Sequence, residues 1–547
     1  MTNPFSGQPG SGSGDNPGDQ TAGSPAGWQP PPITQPASYE APGTGWANAG
    51  APYYLQPELQ PTPVRRRRLP WILGSLFATL LVVLGGGGIL AYQALNGGGT
   101  QPDEVIPASA VAFAKIDLDP SVSQKIAAAR FLNRLPKSGN AFSSTAGDWR
   151  QPLFDLLSAN GALPPGVSVD RDIKPWLGKR LAVAMLASTT DGAPDSVVAL
   201  QSTDDAKARA GIARFGGSYG ISFLKGYAIL GQSQQLTDRA VAEAKLASLK
   251  KSTQYSTDIS QLGSPGVASG WVDLAALGKL ASSVGVAPLH TVQLTSRLAY
   301  TVRFSSDTAE LVIKSHDGAA SSPRHSAGFP SIADLPASTA VAAQLSGESG
   351  RFGQQWDKLT KQLDNVTGPN GGSFGDAVTQ FQSEFGITLP QDAQTLLGSD
   401  LLVALDSDGL GSGTPKVGIR TKTDGPAAMK VLNTIQADLE RLSGGSPLIF
   451  RIAPDGVMAA TDNTVFTNLT APSGAKLGSV DGFAQAVPDL ATANGAIFVS
   501  LDSIAGELRE NGATADDLKQ LSAFKAIGLT MSTDRDVSTA RIRLVAH

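Results

Sequence analysis

Leu69 to Leu95 form an apolar run of 27 residues without a charge, LPWILGSLFATLLVVLGGGGILAYQAL, directly after four consecutive arginines, Arg65 to Arg68. As a helix rising about 1.5 Å per residue the run extends about 40 Å, more than the ~30 Å hydrocarbon core of a bilayer requires. A helix apolar on every side suits a membrane rather than the surface of a soluble domain, so the run is read as one transmembrane helix. A cleavable signal peptide fits less well, because its apolar region spans about 7–15 residues and ends in an Ala-x-Ala-like site. Here the run is longer and ends Ala91-Tyr92-Gln93. The arginines precede the helix, and Asp103 and Glu104 follow it. By the positive-inside rule, this predicts a single-pass protein of the plasma membrane with a cytoplasmic N-terminus and an extracytoplasmic C-terminal region.

Residues 1–64 contain 13 Pro and 10 Gly and show neither helical nor strand periodicity. Such a stretch cannot bury enough apolar surface to offset chain entropy, so a disordered cytoplasmic tail is expected. Six aromatics punctuate it (Phe5, Trp28, Tyr39, Trp46, Tyr53 and Tyr54), several beside proline. A docking element for a cytoplasmic partner with an aromatic groove and a plain solvated spacer both fit that pattern.

Beyond the membrane run the composition excludes several chemistries. The net charge is −4, and residues 1–102 hold four acids and four arginines, so the acidic excess lies wholly beyond them. A dedicated nucleic-acid binder needs a basic face, and no nucleic-acid partner is expected. Zero cysteine rules out disulfides, thiolate metal sites, a thiol nucleophile and a lipid-modified N-terminal Cys. With four histidines in the chain (His290, His316, His325 and His547), no His-rich metal centre and no cofactor is implied.

The rest of the chain reads as two related halves. Ile106-Pro107-Ala108-Ser109 recurs as Leu335-Pro336-Ala337-Ser338. Gly166-Val167-Ser168-Val169, followed by Leu177-Gly178, matches Gly386-Ile387-Thr388-Leu389, followed by Leu397-Gly398, at a shift of 220. Thr203-Asp204 and Thr423-Asp424 open helical stretches at the same shift, and Trp271-Val272-Asp273-Leu274 corresponds to Phe498-Val499-Ser500-Leu501. Each half ends in an expected hairpin, around Ser305-Ser306-Asp307 and Thr533-Asp534-Arg535. The shared order argues for duplication. The organisation is then a tail at 1–64, a basic cluster at 65–68, a membrane helix at 69–95 and a linker at 96–105. A first repeat follows at 106–316, a linker at 317–331 and a second repeat at 332–547.

Within each half, strand, helix and short strands alternate with polar turns. Ala110 to Ile116 predicts a buried strand. Asp119 before Pro120 predicts a helix start, with Ile126, Ala129 and Leu132 or Asn133 near one face. Leu181 to Leu186 and Ser196 to Leu200 flank the turn Thr189-Thr190-Asp191-Gly192, and Asp204 to Phe215 is helical again. This pattern predicts an α+β fold of two tandem halves, each with its own mainly antiparallel sheet and packed helices. At about 220 residues each, the halves are large enough to bury a core without staples.

IPASAVAFAKIDLDPS (Ile106 to Ser121), FLNRLP (Phe131 to Pro136) and Asp172-Ile173-Lys174-Pro175-Trp176-Leu177-Gly178 resemble segments of an actinobacterial family of proteins that carry a domain of unknown function. The resemblance covers most of residues 65–547. It implies a proline- and glycine-rich cytoplasmic tail, one membrane helix and a duplicated extracytoplasmic region, and it brings no catalytic or ligand residue with it.

There is no G-x-S-x-G elbow, no H-E-x-x-H and no Gly-rich loop ending in Lys-Ser or Lys-Thr. Ser109 and Ser338 recur, yet no histidine recurs with them, which favours a turn role over nucleophilic catalysis. Asp406-Ser407-Asp408-Gly409 resembles the start of a calcium loop, but Leu410, Gly411 and Val417 stand at positions 5, 6 and 12, and a hairpin loop is expected instead. Asp117 and Asp119 could present two carboxylates together, but the second half has Leu345-Ser346-Gly347-Glu348 there, against an ion site common to both halves. No catalytic, cofactor or metal residue is assigned. The expectation is a non-enzymatic binding or assembly platform of the cell envelope, with an envelope protein or lipid as partner. A carrier of a hydrophobic ligand such as a lipid and an unrecognised envelope enzyme are the alternatives.

Overall fold

Alternating small aliphatic residues build the strands: in LAVAML of Leu177–Leu186, successive side chains point to opposite faces of the sheet and both faces are apolar. Local signals start the helices. Asp204 accepts a hydrogen bond from Lys207 N at 3.0 Å to cap the helix Asp205–Ile212, and Asp424 accepts one from Ala427 N at 2.9 Å to cap Gly425–Leu442.

A computed structural model describes residues 99–547 except 119–121, 135–149, 151–153, 155–165, 188–194, 217–218, 265, 284–295, 317–324, 348, 351, 354–355, 357–359, 361–373, 412–414, 443–447, 471–472 and 520. The expected tail at 1–64, the cluster at 65–68 and the membrane helix at 69–95 lie outside the described residues, as do Asp119 and the turn 189–192. Among the described residues no helix is long and apolar enough to cross a membrane.

The first half supplies β1 (Ala110–Asp117), β2 (Leu177–Leu186), β3 (Asp195–Ser202), β4 (Gly220–Leu224), β5 (Tyr227–Gly231), β6 (Ala268–Asp273), β7 (Arg297–Phe304) and β8 (Thr308–His316). The second half supplies β9 (Thr339–Ser346), β10 (Asp400–Asp406), β11 (Val417–Lys422), β12 (Ile449–Ala453), β13 (Gly456–Ala460), β14 (Gly495–Ser500), β15 (Phe524–Asp534) and β16 (Val537–Ala546). The fold is α+β, as the pattern predicts. All 16 strands lie in one sheet, ordered β4-β5-β3-β2-β1-β6-β7-β8 and then β16-β15-β14-β9-β10-β11-β13-β12. Every neighbouring pair is antiparallel. Counted inward from either edge, the strands of the two halves follow the same order, β1 matching β9 and so on to β8 with β16.

The separate sheets expected from the sequence are instead joined. β8 and β16 pair from Val537↔His316 to Val545↔Thr308, so each terminal hairpin covers the edge the other would leave with open backbone groups. The cores are shared as well. Leu544 and Ala546 of β16 pack with the first-half core, and Phe131 stacks at 5.4 Å from Phe304 and 5.9 Å from Phe524. Phe329, assigned to the linker by the sequence, is buried in the second-half core beside Ile332 and Leu335, because ten residues before β9 it meets an apolar cluster rather than water.

The sheet packs helices on both faces, A and B. In the first half, face A carries Ala114, Ile116, Val183, Val198 and Val302 under the helices Val122–Leu132 and Asp205–Ile212. Face B carries Phe113, Ala182, Ala199, Trp271 and Ala299 under Gln234–Leu246 and Thr253–Gln261, together with the incoming Val105 and Ile106. The second half buries face B in the same manner, with Leu402, Phe498 and Ala526 at its centre.

Candidate functional site

The recurring Pro-Ala-Ser segments close a turn. Ala110 N donates to Pro107 O at 3.1 Å and Thr339 N to Pro336 O at 3.0 Å, each one delivering the chain into a strand. Pro107 and Pro336 also sit in matching one-residue bridges, opposite Ser248 and Lys476. The flanking bonds are Ala108 N to Ala247 O (2.9 Å) and Leu249 N to Ile106 O (2.8 Å), and their counterparts are Ala337 N to Ala475 O (2.9 Å) and Leu477 N to Leu335 O (2.7 Å). Proline fits there because the bridge asks no N–H of it. Ser109 Oγ donates to Glu243 Oε2 and Ser338 Oγ to Asp406 Oδ2, both at 2.7 Å. The two hydroxyls have different carboxylate partners.

Asp172 and Trp176 of the Asp-Ile-Lys-Pro-Trp segment form a lock between the turn Val169–Ile173 and the helix Asp205–Ile212. The fully buried Asp172 carboxylate accepts from Arg171 Nε and Nη2 (2.7 Å each), Arg214 Nη1 (2.8 Å) and Ser168 N (2.9 Å). The Arg171 hydrogen bonds, chiefly, hold the carboxyl well below the usual aspartate range, against the opposing effect of burial. Trp176 Nε1 donates to Asp172 O at 2.6 Å. The second half repeats the local bond, Thr388 N donating to Asp392 Oδ2 at 2.6 Å.

Two buried carboxylates with histidine partners carry no sequence signature, because their members are far apart in the chain. Asp258 accepts from Trp271 Nε1 (2.8 Å) and from Arg297 Nε (2.8 Å) and Nη2 (3.2 Å), with His316 Nδ1 at 3.0 Å. Asp400 accepts from Ser346 Oγ (2.8 Å) and Ser326 N (3.0 Å), with His325 Nδ1 at 3.4 Å. Ser346, His325 and Asp400 have the composition of a catalytic triad without its geometry. A triad places Ser and Asp on opposite ring nitrogens. Here both lie on Nδ1, Ser346 Oγ at 3.5 Å, while Nε2 donates to Phe329 O at 2.9 Å and Ser346 is buried.

The remaining candidates from the sequence are dispersed. Asp117 pairs with Arg180 at 3.3 Å across β1 and β2, and His290 lies outside the described residues. Asp406 accepts from Asp408 N at 3.2 Å, and Asp408 pairs with Lys416 at 3.1 Å in the single helical turn Asp408–Gly411. Among the described residues no group of three or more His, Asp or Glu is placed to hold a metal. A cleft of about 450 Å³ opens beside Phe329, Leu335 and Leu469, with the Asp334–Lys476 ion pair (2.9 Å) in its lining.

The feature that sets the halves apart is the covering of face A. Ala114 (1% exposed), Ile116 (4%), Val183 (3%) and Val302 (4%) are buried. The residues at the same positions of the second half, Ala343, Leu345, Val403 and Met531, are only half-buried. Ile527 and Ile542 on that face are 38% and 39% exposed. Between β1 and β2 the chain sends Val122–Leu132 onto face A and buries Ala128, Phe131 and Leu132. Between β9 and β10 the helices Phe374–Phe385 and Gln391–Leu397 bury no residue.

A family described as protein of unknown function, DUF3352, matches residues 76–218. This chain is similar to that family over a narrower stretch than its motifs imply. No curated protein and no solved structure matches.

Proposed function

We propose that this chain is a single-pass protein of the plasma membrane, anchored by residues 69–95, whose extracytoplasmic part acts by binding and not by covalent chemistry. The two halves are read as copies of one unit, a reading supported by their common strand order and their repeated proline bridges. The observation that carries the functional reading is the unequal covering of face A. A layer of aliphatic side chains that is buried at its centre in the first half stays partly open in the second. Apolar area left in water costs about 25 cal/mol per Å², so such a layer favours an occupant with an apolar surface of its own. A hydrophobic ligand such as a lipid, held against β9, β10, β14 and β15, suits a layer bounded by loosely packed helices. This favours the carrier reading over the assembly platform.

Full-length protein purified from its own envelope in mild detergent tests it by native mass spectrometry. One equivalent of lipid is expected, lost in Leu529→Gln and retained in Leu246→Gln, whose side chain is 83% exposed. A protein without that equivalent, crosslinking through position 529 to an envelope protein, would replace the carrier by the platform.

A further inference from the structure

Face B at the joint between the halves is lined with cations. In adjacent rows across β7, β8 and β16 stand Arg303, Glu310 and Arg543, then Thr301, Val312 and Arg541, then Ala299, Lys314 and Thr539. Three guanidiniums therefore gather about one carboxylate, and Lys314 stands one row beyond Arg541. Glu310 is spent: Arg303 Nε donates to Oε2 at 2.7 Å and Arg543 Nε to Oε1 at 2.9 Å. Arg303 and Arg543 are further satisfied by Ser264 O (3.4 Å) and Gln485 O (3.1 Å). Asp258, another buried acid on this face, is taken up by Arg297, Trp271 and His316.

Lys314 is left over, and Arg541 is held only by two long ion pairs. Arg541 lies 3.6 Å from Glu310 Oε1 and 3.7 Å from Asp489, a carboxylate that is itself 65% exposed, and neither contact is within hydrogen-bond distance. The Lys314 ammonium makes no hydrogen bond or ion pair among the described residues. It is half-buried, and desolvation, with Arg541 and Arg303 nearby, pulls its ammonium below the usual lysine range. A half-buried lysine facing two guanidiniums costs stability and returns none, unless an anion joins them.

We propose that Lys314 and Arg541 form a binding site for a phosphate-type oxyanion, borne by a lipid headgroup or free in solution. The two residues are diagonal neighbours on adjacent strands, about 7 Å apart at their backbones, a spacing that one tetrahedral oxyanion can bridge. Arg303, Arg543 and Glu310 act as the scaffold that fixes this face. The site lies on the opposite side of the sheet from the open apolar layer and does not depend on it.

Full-length protein in a nonionic detergent is titrated calorimetrically with inorganic phosphate and, separately, with glycerophosphoglycerol, a soluble phosphodiester headgroup. Binding is expected to weaken as salt rises, and by about tenfold in both Lys314→Gln and Arg541→Gln, the loss of one charge-assisted hydrogen bond. Lys314→Gln should melt at the same or a higher temperature than the wild type, so that lost binding is not lost folding. Tighter binding of the phosphodiester supports a lipid headgroup, and tighter binding of inorganic phosphate supports a free anion. No binding of either probe, or binding unchanged in both variants, overturns the proposal.

Discussion

Arg543 of the last strand faces Glu310 of the first half directly across the joint: its Nε donates to Glu310 Oε1 at 2.9 Å, and its Nη2 lies 2.8 Å from the same oxygen. With Arg303 on the other flank, one carboxylate ties β7, β8 and β16 together. Burial alone pushes the Glu310 carboxyl up, and the guanidiniums of Arg543, Arg303 and Arg541 outweigh it, so it stays ionised below the usual glutamate range.

Glu310→Gln should therefore destabilise the protein by about 2–4 kcal/mol, because it leaves partly buried guanidiniums facing one another. Urea unfolding of the full chain measures this. A change under about 0.5 kcal/mol, the size of an exposed pair, would show that backbone pairing alone holds the joint.

Gly211 packs where no side chain fits: an added Cβ would lie 2.0 Å from Asp172 O and 2.7 Å from Trp176 Nε1. Gly211→Ala is expected to cost about 2–3 kcal/mol by overpacking. Gly506, in the helix Leu501–Glu510 with nothing within 4 Å of an added Cβ, should gain about 0.5–1 kcal/mol as alanine. Equal effects of the two substitutions would remove the Asp172 lock as the reason.

The same lock sets an acid limit. The Asp172 carboxyl is depressed in the folded state, so its stabilisation is complete above the ordinary aspartate value of about 4 and is lost as pH falls through the lower, folded value. Melting temperature followed from neutral to acid pH should fall less steeply in Asp172→Asn than in the wild type, from a lower starting point. Parallel curves would count against it.

Ser109→Ala and Ser338→Ala each remove an exposed hydrogen bond to a carboxylate, expected to cost about 1 kcal/mol or less. Both variants should complement a deletion. A Ser109→Ala protein that accumulates normally and fails to complement would point to an enzyme.

For topology, reporter fusions at residues 60 and 547 should be active on the cytoplasmic and the outer side of the membrane respectively. An outside-active fusion at 60 would reverse the orientation.

Features written in short stretches of chain were legible in the sequence. Asp204 and Asp424 announce helix starts because a cap acts within three residues. The Pro-Ala-Ser turns recur because each closes on itself before pairing. Apolar alternation and polar turns were enough to predict an antiparallel α+β fold. What depends on partners hundreds of residues apart was not legible. Nothing near Val537 to Val545 says that this strand pairs with β8 rather than remaining an edge, since an edge strand and an inner strand alternate alike. Asp258 and Asp400 meet His316 and His325 only because the sheet brings separate strands and loops together. Ala343, Leu345 and Val403 read as core residues, as Ala114, Ile116 and Val183 do. Only the packing of the helices over them leaves one set half-open and closes the other, because hydrophobicity specifies a wish to be buried and three-dimensional packing decides what does the burying.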